Sequence, residues 1–237
     1  MVTVVLAVSA ACRSGVETPN TAAGSTAGPA THDAPIAASA ATPAATPTSS
    51  QPRVVFLGDS LTAGLGLDQA EAYPALVQRR LKDRGLAFDV VNAGVSGDTS
   101  AGGLSRLDWA LEGNVKVLVL ALGANDGLRG LPIEELGRNL SAIIERAQSR
   151  HVTVVLAGME APPNFGMEYT TAFHSLYPTL ARKYHVRLVP FLLDKVAGIQ
   201  SLNQRDGIHP NAQGAAIVAD NVCAVLEPVL EGLPTGD

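Results

Sequence analysis

The sequence predicts an α/β fold, a doubly wound parallel sheet of five strands with helices on both faces. Three observations carry that expectation. Short apolar runs alternate with longer segments of helical periodicity, the runs are too uniformly apolar for one-sided burial, and loops rich in Gly follow them. With 237 residues, 46% of them hydrophobic, the chain can bury one substantial core once about the first fifty positions are set aside.

Those leading positions read differently from the rest. An apolar run over 2–11 is too short to cross a bilayer but long enough for a signal-peptide core, and Ser9-Ala10-Ala11-Cys12 resembles a bacterial lipoprotein processing site. Residues 1–12 are therefore expected to be a signal peptide with a lipobox, and Cys12 the lipidated amino terminus that attaches the protein to a membrane. Ser9 stands where an aliphatic residue is usual and no Lys or Arg follows Met1, so a cleaved secretory signal or an uncleaved anchor are the alternatives. Residues 13–52, dominated by Ala, Thr, Pro, Ser and Gly, bury too little apolar surface to offset their ordering entropy and read as a disordered tether. Residues 53–237 are the domain. The expected location is the bacterial periplasm or cell envelope, lipid-anchored or else secreted.

The elements follow in order. The first strand, 54–57, runs into Gly58-Asp59-Ser60, which stands Ser60 at the carboxyl end of a buried strand. A helix over 72–84 carries Tyr73, Leu76, Val77 and Leu81 on one side, and a second strand covers 88–91. The turn-prone stretch 92–100 follows, with Asp98 or Thr99 as cap of a helix carrying Leu104, Leu107 and Leu111. Residues 115–122 form a central strand that empties into Gly123-Ala124-Asn125-Asp126-Gly127. Then come a helix over 133–148, a strand over 152–157, a helix over 169–184, a strand over 186–191, the loop 206–210 and a closing amphipathic helix over 212–230.

In a parallel sheet the carboxyl ends of all strands share one rim, so Ser60, the 94–97 loop, Asn125 and Asp206-Gly207-Ile208-His209 meet despite their separation. A serine hydroxyl needs a base, and His209 is the only one of five histidines in a loop with a carboxylate three residues before it. Asp206 can accept the imidazole Nδ1 proton and leave Nε2 to face Ser60. The oxyanion donors are then the Ser60 and Gly97 backbone N–H groups and the Asn125 amide. Taken singly, Gly94 and Gly97 also read as turn glycines and Asn125 as a helix cap. Asp59 reads as structural, bonding backbone donors beneath the nucleophile.

Gly58-Asp59-Ser60-Leu61, the Gly97 loop, Gly123-Ala124-Asn125-Asp126 and Asp206-Gly207-Ile208-His209 resemble, in order, the four signature blocks of the SGNH, or GDSL-type, hydrolases. The resemblance covers about residues 53–230. It implies a flavodoxin-like three-layer sandwich and hydrolysis of esters or thioesters, with the Ser, Gly, Asn and His roles just described. Residues 92–100 and 125–131 look like the bacterial thioesterase/lysophospholipase/arylesterase branch, which implies acyl substrates and a 127–131 loop over the acyl groove, bringing in Leu128 and Leu131. Ala124 stands where that branch often has a second Gly, and the tether departs from its freely soluble periplasmic members. Phe165 and Met167, in the segment 161–169 after a strand, are expected on the other wall, although the segment also reads as a Pro-rich connector.

Other classes fit less well. An α/β-hydrolase needs Gly two residues after its serine, where Thr62 stands. A flavin or nucleotide binder lacks a P-loop or a third glycine after Gly64-Leu65-Gly66, and no His/Cys pair has chelating spacing, so no cofactor and no metal are expected. A formal net charge of -5 without basic blocks argues against nucleic acid. Acetyl or sugar-ester hydrolysis, or a catalytically silent envelope binding role, remain as alternatives. The expected partner is a small acyl ester or thioester, and the expected state a monomer.

Overall fold

The computed structural model describes residues 51–233. The signal peptide and lipobox over 1–12, with Cys12, and the tether up to residue 50 lie outside the described residues.

Strands β1 (Arg53–Gly58), β2 (Asp89–Gly94), β3 (Val115–Ala121), β4 (Thr153–Ala157) and β5 (Arg187–Val189) form one sheet in the order β2-β1-β3-β4-β5, with every adjacent pair parallel. This is the five-stranded parallel sheet that the alternating pattern predicts, in the flavodoxin-like order that the resemblance implies. The central β3 is buried at every position but Lys116, as strands covered on both faces must be. Phe56, Leu57, Leu118 and Leu120 have no exposed surface.

Helices α2 (Tyr73–Asp83) and α8 (Ala212–Glu231) pack against each other, while α6 (Ile133–Ser149) packs on both α3 (Ser100–Ser105) and α7 (Met167–Tyr184). These two groups are the outer layers of the sandwich. The long helices lie where periodicity puts them, to within about two residues at each end. Three differences have physical causes. The single helix expected to carry Leu104, Leu107 and Leu111 is broken at Arg106 into α3 and α4 (Leu107–Ala110). Gly102 and Gly103 are weak helix formers, and the Ser105 hydroxyl donates to the Gly102 carbonyl at 2.7 Å. The other two differences are α1 (Ser60–Ala63) and α5 (Ala124–Leu128), each little more than one turn and too short to leave a periodic signal.

The carboxyl edge is tightly built around α1. A Cβ on Gly94 would lie 2.7 Å from the Thr62 carbonyl carbon and 2.8 Å from the Ala63 Cα, inside the α1 backbone. A Cβ on Gly58 would meet the Thr62 side chain and come within 2.9 Å of the Ala121 carbonyl oxygen. Gly94→Ala is expected to lower Tm by about 2–12 °C, the equivalent of about 1–3 kcal/mol of overpacking. Thermal melting by circular dichroism checks this; an unchanged Tm would mean that β2 and α1 can separate freely.

Candidate active site

Asp59 is the N-cap of α1, its Oδ1 accepting the Leu61 N–H at 3.0 Å, and this cap sets Ser60 at the start of the first turn on the sheet edge. From there the Ser60 Oγ lies 2.8 Å from His209 Nε2, and His209 Nδ1 lies 2.7 Å from Asp206 Oδ2. The second carboxylate oxygen of Asp206 accepts the backbone N–H groups of Ile208 and His209, each at 3.0 Å. Gly207, at φ 75°, supplies the left-handed residue that lets the chain close this turn. The His209 backbone N–H, the imidazole and the Ile208 N–H together hold the Asp206 carboxyl down at about 2. An ionised Asp206 selects the tautomer with the proton on Nδ1 and leaves the Nε2 lone pair facing the serine hydroxyl.

The turn is fastened to the rest of the rim by Gln204. Its backbone N–H donates to the His209 carbonyl at 2.8 Å, and its side-chain amide donates to the carbonyls of Leu65, just beyond α1, at 2.7 Å and Pro210 at 3.0 Å. Across the rim, Asn125 in α5 donates through Nδ2 to the Asp98 carbonyl at 2.9 Å and, more weakly, to Asp59 Oδ2 at 3.4 Å. Gly97, at φ 86°, directly precedes Asp98, and its carbonyl accepts from Arg129 at 2.9 Å. Thr99 is the N-cap of α3, as one of the two expected candidates, and the buried Asp126 accepts the Ser100 N–H at 2.8 Å and its hydroxyl at 2.6 Å from across the rim. The loop after β3 is thereby pinned to the loop after β2.

A groove of about 300 Å³ opens beside these groups. Ser60, Asn125 and His209 line it, with Leu128, Met159, Pro162 and Phe191 among its apolar walls. Of the sequence-predicted wall residues only Leu128 lies on this surface. Leu131 stands back, its carbonyl accepting the Tyr169 hydroxyl at 2.8 Å. Phe165 packs its ring 5.4 Å from that of Tyr169, and the Met167 side chain, in the first turn of α7, is 83% exposed to solvent. The chain turns away after Pro162 into one turn of 3-10 helix over Pro163–Phe165, so Met159, Glu160 and Ala161 form the wall instead.

Sequence reasoning also missed Arg106. Its guanidinium donates to Asp98 Oδ2 at 2.6 Å and to the carbonyls of Ala93 at 2.7 Å and Gly58 at 2.8 Å. A single Arg after a run of small residues leaves no signal of that kind. The only available pointer was its spacing of eight residues from Asp98.

Comparisons with known proteins identify the family. The family described as GDSL-like Lipase/Acylhydrolase matches residues 56–217. The chain belongs to that family. "Esterase TesA" of Pseudomonas aeruginosa is 43% identical over 178 residues, 75% of this chain and 89% of that protein. "Thioesterase 1/protease 1/lysophospholipase L1" of Escherichia coli is 36% identical over 178 residues, 75% of this chain and 84% of that protein. Among solved structures, a crystal structure of TesA matches with a TM-score of 0.72 at 43% identity, covering 76% of this chain and 99% of that one. The psychrotrophic esterase EstA from Pseudoalteromonas sp., inhibited by monoethylphosphonate, matches with a TM-score of 0.72 at 32% identity over 76% of this chain and 99% of its own. This GDSL-family chain is an enzyme of the esterase and thioesterase kind.

Asp59 is the second carboxylate of the site, and burial pushes its carboxyl up to about 6, against the Leu61 N–H, the nearby His209 and the Asn125 amide. Folding therefore favours its protonated form. Its contribution is fully present below about pH 4 and is lost as pH rises through about 6, by up to about 3 kcal/mol. Asp59→Asn should flatten the dependence of unfolding free energy on pH between about 4 and 7, as read by urea denaturation. An identical slope in the variant would show that Asp59 does not titrate there.

Proposed function

We propose that this protein cleaves carboxylic ester or thioester bonds of acyl substrates, with Ser60 as nucleophile, His209 as general base and Asp206 as the orienting acid. The observation that carries the reading is the chain from Ser60 Oγ to His209 Nε2 at 2.8 Å and from His209 Nδ1 to Asp206 at 2.7 Å, opening on an apolar groove. Relatives named as esterase and as thioesterase/lysophospholipase support the substrate class.

As Ser60 Oγ attacks the acyl carbonyl carbon, its proton passes to His209 Nε2, and ionised Asp206 stabilises the imidazolium that forms. The carbonyl oxygen becomes an oxyanion that accepts from the Ser60 and Gly97 N–H groups and Asn125 Nδ2. The tetrahedral intermediate collapses, His209 returns the proton to the departing alkoxide or thiolate, and an acyl-serine remains. Water gives a proton to His209 as it attacks that ester, and the second collapse releases the fatty acid while His209 returns the proton to Ser60 Oγ. Leu128, with Met159, Pro162 and Phe191, contacts the acyl chain within the groove. Export to the periplasm or cell envelope, with lipidation at Cys12, places the enzyme beside acyl lipids. Metabolic labelling with a fatty acid, lost in Cys12→Ser, tests that part.

Hydrolysis of aryl esters of increasing acyl length and of matching acyl-CoA thioesters tests the activity. Wild type is expected to turn over both, best at medium or long chains, and Ser60→Ala to lose about 10³–10⁶-fold in kcat. An aryl alkylphosphonate should add one phosphonyl group per chain, read by intact mass, and none to Ser60→Ala. Activity confined to acetyl esters would move the substrate to small or sugar esters, and a folded but inactive protein would point to a binding role.

A further inference from the structure

Arg106 touches neither the groove nor the chain from Ser60 to Asp206, yet it joins three of the elements that make the site. Through Nε it meets Asp98, and through its two Nη atoms it meets Ala93, next to last in β2, and Gly58, last in β1 and two residues before Ser60. The Arg106 and Asp98 side chains are only 17% and 18% exposed, so the pair is little screened by water. The Asp98 that Arg106 grips follows Gly97, and its carbonyl is the 2.9 Å acceptor for Asn125 Nδ2. One guanidinium thus fixes the ends of β1 and β2 relative to the peptide on which the Asn125 amide hangs.

We propose that Arg106 is a positioning residue for the oxyanion hole, acting through Asp98 on the Gly97 peptide and the Asn125 amide. The inference rests on the hydrolase reading given above. Three acceptors in three directions match the rigid fork of a guanidinium, whereas an ammonium cannot reach all three from one point. Oxyanion donors count in the transition state far more than in the bound substrate, so displacing them lowers kcat and leaves KM nearly unchanged. Removal of one whole donor costs about 10²–10³ in kcat, and misplacement costs a share of that.

The test is a double-mutant cycle in the full-length protein with a soluble aryl butyrate, using Arg106→Lys, Asn125→Ala and the pair. Arg106→Lys is expected to lower kcat about 10- to 100-fold with KM changed less than about threefold, and to cost less than about fivefold once Asn125 is already Ala. Asp98→Ala cuts the same link from the other side and leaves Arg106 on its two carbonyls. It should reproduce the kcat loss, which serves where Arg106→Lys fails to fold. Equal fold-losses in both backgrounds, unchanged kcat in either folded variant, or a loss confined to KM would overturn the proposal. If Ser60→Ala retains full activity, the proposed nucleophile falls, and if Asn125→Ala does, its oxyanion role falls; either outcome takes this inference with it. An impaired Asn125→Ala with additive Arg106→Lys removes only the role of Arg106.

Discussion

The site depends on a steric constraint, the absence of side chains at Gly58 and Gly94. Because neither carries a Cβ, the short helix α1 can lie directly on the end of β2 and against the end of β1. That contact turns an ordinary strand-to-helix connection into a seat for Ser60, the proposed nucleophile. Asp59 closes the first turn, Ser60 projects over the rim, and the Thr62 hydroxyl shares a 2.9 Å hydrogen bond with the Tyr73 hydroxyl in the interior. The sheet behind it gives each residue of α1 one place to go.

Two of the carboxylates in this region, Asp206 and Asp59, are driven in opposite directions by their surroundings. Asp206 is half exposed and receives three N–H donors, so its carboxyl falls to about 2. Asp59 is wholly buried beneath the nucleophile, and burial raises it to about 6. The same functional group therefore serves as a permanent charge at one position and as a titrating structural group at the other. The permanent charge faces the imidazole, where the chemistry needs it, and the titrating one faces backbone and amide donors.

The parts of the fold legible in sequence were those with a repeated local signal. Short, mostly apolar runs marked the strands and periodicity marked α2, α6, α7 and α8, whereas α1 and α5 are shorter than any period can show. Asp206 and His209 were legible because acid and base lie three residues apart, so their pairing is a property of one turn. The groove walls were not. Whether Phe165 or Met159 faces the acyl chain depends on where the backbone turns after Pro162, and neighbouring residues do not encode that. Arg106 was hidden for a different reason. Two of its three acceptors are backbone carbonyls, 13 and 48 residues away, which any amino acid would supply.

The closeness of Asp206 to His209 has a further consequence for how such an enzyme changes over time. Acid and base are carried on one turn whose internal bonds are its own, so insertions before it or drift of α8 after it move both together as a cassette. Two joints span the molecule, the contact of His209 with Ser60 and the bond from Gln204 to the Leu65 carbonyl that fastens the turn beside it. The surrounding loops, and with them the groove walls, can therefore be remodelled while the Asp206–His209 pair keeps its own geometry.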